Sequence, residues 1–186
     1  SVIEVNKLTP LASNGTITLG DSGDTFSIPS GVTLSNAGTA TGFGKIGQIV
    51  QVTDATTFST TSSSYVDVTG VTASITPTAT SSKVLVMIQG STNNSTTSSQ
   101  LNRLKLLRGS TAIGVANTTH ESFFNTYGVS NVAISFTTLL LDSPATTSSA
   151  TYKLQVKVSG SSTAYVGGFG PGSEAITTLT LMEVLA

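Results

Sequence analysis

The side chains able to do chemistry are few and poorly assorted. A single histidine, His120, precedes Glu121 in the polar loop 117–125, and the chain has no cysteine. One imidazole and scattered carboxylates do not make the three or four nitrogen, sulfur or oxygen ligands of a zinc site. Asp21 and Asp24 share a glycine-rich turn. That pair suits a weak Ca²⁺ contact less well than the side-chain-to-backbone bonds that Asp makes in turns. Serines abound, but none lies in a nucleophile-elbow pattern, so no Ser–His–Asp triad is indicated. A glycosidase needs two placed carboxylates in a cleft, usually beside sugar-stacking aromatics, and here there are 9 acidic residues and no tryptophan. Asn14, Asn94 and Asn117 head glycosylation sequons, which a bacterial cytoplasm ignores. The expectation is a non-enzymatic protein with no catalytic residue, no cofactor and no metal.

Binding has more to work with. The run Tyr165-Val166-Gly167-Gly168-Phe169-Gly170-Pro171-Gly172 sets two aromatics among glycines, an arrangement of ring faces and accessible amides that suits a sugar. Phe123, Phe124 and Tyr127 form a second aromatic group close to His120. Tyr165, Phe169, His120 and Tyr127 are therefore the candidate receptor contacts. For each the competing role is packing, in the core or between subunits.

The elements that would position these residues are read from composition and period. Ser and Thr fill 61 of 186 positions while charged residues make up only 9%, against roughly 25% in an ordinary soluble domain. A surface built from hydroxyls points to β structure, where Thr fits the pleat. The net charge is −1, with basic and acidic residues dispersed. No basic stripe is present to neutralise phosphates, so nucleic acid is not an expected partner. No apolar run reaches the length of a membrane span and no retained leader is evident, so membrane insertion is not expected. The absence of cysteine favours assembly in a reducing compartment.

Two segments differ in texture. Within 15–44, short alternating stretches are cut by turns. Ile17 and Leu19 share one face, as do Phe26 and Ile28, and Val32 and Leu34. Gly20, Gly23, Pro29 and Gly31 supply the turns. The first 44 residues hold only 12 Val, Ile, Leu and Phe side chains, too few to offset the entropy of ordering that much backbone alone. Neighbouring chains would have to complete the core. Ile17, Leu19, Phe26, Ile28, Val32 and Leu34 are accordingly the candidate core of an intertwined trimeric stalk. From Ile46 onward the strands lengthen, with turns every 8–15 residues or so, the pattern of an antiparallel β-sandwich or jelly roll.

Most of these strands alternate, but Val84–Ile88 and Leu139–Leu141 are apolar at every position. A strand apolar on both faces is covered on both. The second cover is expected to be another subunit, with the long loops as the local alternative. Three-fold closure would carry a stalk axis into the head.

Four stretches carry a family resemblance. Residues 15–31, GTITLGDSGDTFSIPSG, resemble a repeat of tail-fibre and related virion proteins of phages, especially those of cyanobacteria. Residues 47–53, 104–114 and 141–156 are similar to the domain that often follows that repeat. The resemblance implies a homotrimeric virion appendage with a jelly-roll head, used for host-surface attachment or for decorating the particle. A single repeat here, where relatives have several, implies a stubby peg. The expected organisation is a virion anchor over 1–14 (Val2, Ile3, Val5, Leu8), a stalk over 15–44 and a head over 45–186. Expected partners are two further copies, other tail or capsid proteins, and a host-surface glycan or protein. Expected localisation is the virion, assembled in the bacterial cytoplasm. A capsid decoration protein or head fibre is the alternative within that class; a secreted lectin-like module is the alternative outside it.

Overall fold

The computed structural model describes residues 16–18, 20–33, 45–95, 100–115, 121–127, 132–169 and 172–185. The chain divides into two units, Ser1–Phe43 and Gly44–Ala186.

In the first unit the turns form where their residues require them. Asp24 N donates to Asp21 O at 3.0 Å and Val32 N to Pro29 O at 3.2 Å. Asp21 N donates to the Asp24 carboxylate at 2.7 Å, so that carboxylate serves its own turn. The expected strands over 16–19, 26–28 and 32–34 are not formed among the described residues. Among the described residues those short stretches pair with no strand, and Ile17, Phe26, Ile28 and Val32 all stand exposed.

The second unit is all-β, an antiparallel sandwich of the jelly-roll type. Its strands are β1 (Ile46–Asp54), β2 (Phe58–Thr60), β3 (Val66–Ile75), β4 (Lys83–Asn94), β5 (Leu101–Arg108), β6 (Thr111–Ile113), β7 (Phe124–Tyr127), β8 (Ile134–Asp142), β9 (Ala150–Val158), β10 (Ala164–Val166) and β11 (Thr177–Val184). One sheet, A, runs β1-β11-β4-β10-β2, with β8 on the free side of β4. The other, B, runs β3-β9-β5-β6, with β7 also on β5. Every pairing is antiparallel. The stretches read from sequence as Tyr65–Val68 and Val71–Ile75 join into β3 through a bulge between Asp67 and Thr72. Gly70 lies in that bulge at φ 91°, a left-handed conformation that favours glycine.

Alternation sends Val84, Val86, Ile88, Leu179 and Leu181 of sheet A inward against Leu104, Leu106, Tyr152, Leu154 and Val156 of sheet B, all fully or almost fully buried. At one end this core turns polar. Asn102 Nδ2 donates to Thr92 Oγ1 at 3.1 Å and to Asn93 O at 2.5 Å, and Asn94 Nδ2 donates to Asn102 Oδ1 at 2.9 Å. Thr92 Oγ1 in turn donates to Tyr165 O at 2.8 Å. These bonds tie β4, β5 and β10 together and satisfy amides that would be costly to bury unpaired.

Candidate subunit interface

The two strands that are apolar on both faces, β4 and β8, are hydrogen-bonded neighbours. Leu85 pairs with Leu141 and Met87 with Leu139. With Val84, Val86 and Ile88 buried in the core, the pleat points Leu85 and Met87 outward. Leu139 and Leu141 stand beside them, 62% and 49% exposed.

The register extends this patch across the sheet. Leu85 also pairs with Met182, and Met182 with Ile49, giving one continuous row Ile49–Met182–Leu85–Leu141 over four strands. The next row is Gln51–Thr180–Met87–Leu139, in which Gln51 Nε2 donates to Thr180 Oγ1 at 2.8 Å. A depression of about 200 Å³ lies among Gln51, Met87, Thr180, Met182 and Thr137, room for one apolar side chain. The third row, Thr53–Thr178–Gln89–Thr137, is polar but uncharged. No charged side chain occurs in any of the three rows. At the margin beyond the first row, Lys83 Nζ is turned to Ser143 Oγ at 3.2 Å.

Polar pins hold this face from beneath and at its edge. Glu183, on the inner side of β11 and fully buried, accepts from Gln48 Nε2 at 2.8 Å, Thr78 N at 2.6 Å and Thr78 Oγ1 at 2.7 Å. Burial alone would raise its carboxyl. The hydrogen bonds from Gln48 and Thr78 outweigh it and hold the pKa at about 2. At the end of β8, Asp142 Oδ2 accepts from Arg108 Nη1 at 2.6 Å and from Tyr152 OH at 2.7 Å, joining sheet A to sheet B. Burial, followed by the Asp142 hydrogen bond and charge, pushes the Tyr152 phenol well above its usual range.

The residues singled out from sequence are spread over the molecule. Tyr165 lies on β10, half-buried between the inward-facing Ala164 and Val166, and pairs with Asn93 and Ser59. Phe169, 41% exposed, follows Gly167 and Gly168 at φ 80° and 137°. Tyr127 pairs with Leu101 in sheet B, whereas Tyr165 belongs to sheet A. Phe123 and Phe124 pack on Phe136, with ring centroids 6.2 Å and 5.9 Å away. The aromatic group near position 120 is thus at least in part internal packing. Val2, Ile3, Val5, Leu8, Leu19, Leu34 and His120 lie outside the described residues. Among the described residues no group of three His, Cys, Asp or Glu side chains could hold a metal ion.

Sequence reasoning flagged the runs that build the outer patch of sheet A but not Ile49 or Met182. Those two join it through register, which becomes visible only once the strands are paired.

No protein-family model and no curated protein matches this chain. Among solved structures it is similar to a chain of infectious bursal disease virus Gt strain, at 13% identity and a TM-score of 0.42, over 75% of this chain and 38% of that one. It is similar also to a chain of the Gx strain of that virus, at 18% identity and a TM-score of 0.40, over 75% and 37%. This chain therefore covers less than two-fifths of the length of either.

Proposed function

We infer that this protein is a non-catalytic structural component of a virus particle. It works as a homotrimeric short fibre or spike whose subunits meet through the outer face of β1, β11, β4 and β8. The single observation carrying this reading is that face: an exposed, charge-free apolar patch built from two adjacent strands, one of them at the sheet's edge.

A patch of this kind left open is an aggregation hazard, and β8 pairs on one side only among the described residues. A second copy is the occupant that fits best. Without charge in any of its three rows, the face can be shared with two further copies around a three-fold axis, each meeting its neighbour head to tail, with no like-charge penalty. Four strands about 4.8 Å apart, and roughly 30 Å long, present on the order of 600 Å² in projection, near the ~800 Å² each partner of a stable interface buries. Leu139 is a protruding side chain, and the neighbouring depression is of a size to receive one.

Three-fold closure is favoured by the first segment. Ile17, Phe26, Ile28 and Val32 are exposed in the single chain and match the short repeat that, in the phage fibre proteins it resembles, belongs to a shared stalk. The same resemblance, over residues 15–31, 47–53, 104–114 and 141–156, supports a place in the virion and a role in attachment. A decoration protein or head fibre is the same reading with the docking point moved. Cross-linking residues 1–14 within the assembled particle separates the two.

The test is the solution mass of the full chain by light scattering. The expected result is a species near three times the 18.9 kDa of one chain. A folded monomer at micromolar concentration overturns the reading.

A further inference from the structure

The outer face of sheet B gathers cations at one corner. Arg103 of β5 stands directly across from Lys157 of β9, and Lys105, two residues on, pairs with Gln155. Like charges placed opposite each other on one sheet face repel. The aromatic ring of Tyr65 partly offsets this: Lys105 Nζ lies 4.2 Å and Lys157 Nζ 4.4 Å from its centroid. Burial, with the charges of Arg103 and Lys105 behind it, lowers the Lys157 ammonium pKa. Among the described residues no carboxylate forms an ion pair with Lys157.

Among the described residues one acid forms an ion pair at the corner. Glu121 Oε2 is 2.9 Å from Lys105 Nζ, and its side chain remains 55% exposed while that of Lys105 is 12% exposed. Glu121 adopts φ 49°, a left-handed conformation uncommon for a residue with a Cβ. Lys105 and Lys157 thus bring two ammonium groups to one ring, with the Arg103 guanidinium beside them, in a chain whose net charge is −1.

We propose that Tyr65, Arg103, Lys105 and Lys157 form a binding site for an anionic group of a polysaccharide, a carboxylate or sulfate carried on a hydroxyl-rich chain, and that Glu121 is an internal stand-in which the ligand displaces. The site gives its ligand two ammonium groups held at fixed positions by one ring. Asn125 and Gln155 pair with Arg103 and Lys105 across the sheet; Asn125 Oδ1 accepts from Ser122 Oγ and Gln155 Nε2 donates to Asp67, which leaves Asn125 Nδ2 and Gln155 Oε1 to face sugar hydroxyls. The cations do not continue as a track: the next one along the face, Lys153, is bound to Asp67 at 2.8 Å. A compact anionic group fits that arrangement and a nucleic-acid backbone does not. These residues are distinct from those of the subunit interface, and the two readings are tested separately.

The experiment is calorimetric titration of the full chain with dextran sulfate and with polygalacturonate, against neutral dextran and polyglutamate, at low and moderate salt. At least one of the two anionic polysaccharides should bind, and neutral dextran should not. Lys157→Gln and Lys105→Gln should each weaken binding about tenfold, the size expected for one charge-assisted contact. Glu121→Gln should strengthen it several-fold, because the internal competitor is gone. Lys45→Gln, Lys83→Gln and Glu174→Gln, which change the same net charge elsewhere, should leave binding unchanged. Glu121→Gln keeps the test informative if a lysine variant proves poorly folded on thermal melting. Equal losses at Lys45 or Lys83, an equal gain at Glu174, or no binding of either anionic polysaccharide overturns the site. Polyglutamate bound as tightly as the polysaccharides overturns the choice of a glycan.

Discussion

Turned inward, β4 and β9 are alike: Val84, Val86 and Ile88 on one, Tyr152, Leu154, Val156 and Val158 on the other, all buried in one core. Turned outward they part company. β4 presents Leu85 and Met87, while β9 presents Lys153, Gln155 and Lys157. The inner faces record what the fold needs, since either sheet closes the same core. The outer faces record what each sheet meets, because the fold places no demand on them. Sheet B carries its own solvent-compatible surface and a cation corner. Sheet A carries an apolar, uncharged surface, the one proposed above to meet another copy.

The substitution expected to do most damage to this contrast is the double change Leu139→Lys and Leu141→Lys. It gives the outer face of sheet A the charge that sheet B already has. Light scattering should then report a single chain of 18.9 kDa, because two ammonium groups per copy would face an apolar partner. The melting transition of the separated head should remain cooperative, since neither side chain belongs to the core. Lys153→Leu on the opposite face should leave the mass unchanged. If both variants kept the wild-type mass, the two outer faces would be equivalent for assembly and the contrast would lose its meaning.

Next in size is Glu183→Gln. The amide cannot accept from both Gln48 and the two Thr78 donors, so at least one part-buried hydrogen bond to a charged acceptor is lost, worth about 1.5–3 kcal/mol. The effect has a pH signature. The carboxyl pKa is about 2 in the fold, below the ~4.3 of an unfolded chain. The ionised form therefore contributes stability that is fully present above the unfolded value and is lost as pH falls from about 4.5 towards about 2. Denaturant titrations across that window should show wild type weakening and the variant flatter. Equal slopes would mean that the pin beneath sheet A contributes no pH-dependent stability.

How much of this was visible in the residues alone depends on the range of the signal. Alternation at period two is local, so the long strands β1, β4, β5, β8, β9 and β11 were legible, as was the all-β class. The three-residue strands β2, β6 and β10 are too short to show a period and form because longer neighbours template them. The doubly apolar character of β4 and β8 was equally local and pointed to a second cover. That the two lie side by side, with Ile49 and Met182 extending the patch, depends on pairings between residues far apart in the chain. The cation corner was hidden for the same reason: Tyr65, Arg103 and Lys157 come from three separate stretches. The aromatic group around Phe123 and Phe124 was open between adhesion and packing, and its packing partner Phe136, on the strand after it, was not visible in the sequence.

A smaller effect is expected where the two sheets are joined. Tyr152→Phe removes the 2.7 Å bond from the phenol to Asp142 Oδ2 but leaves Arg108 on the same oxygen. The loss should be about 1 kcal/mol, with the assembly unchanged, because Asp142 keeps a charged partner. A loss well above that would show that the position of β8, and with it the apolar face, depends on this one hydroxyl.

The smallest effect belongs to the open side of sheet B. Asp67 accepts from Lys153 Nζ at 2.8 Å and from Gln155 Nε2 at 2.7 Å, and the Lys153 hydrogen bond, with that of Gln155, lowers its pKa. Its side chain is about half exposed, so solvent screens most of the attraction. Asp67→Asn should cost well under about 1 kcal/mol, a difference that fades at high salt and leaves the mass unaltered. Its value lies in contrast with the double lysine variant on β8. There, two charges added to an apolar face should dismantle an assembly; here, one charge removed from a face already in equilibrium with water should change little. If Asp67→Asn proved as disruptive as Leu139→Lys and Leu141→Lys together, the outer face of sheet B would be a buried surface as well. The molecule would then be covered on both sides rather than one.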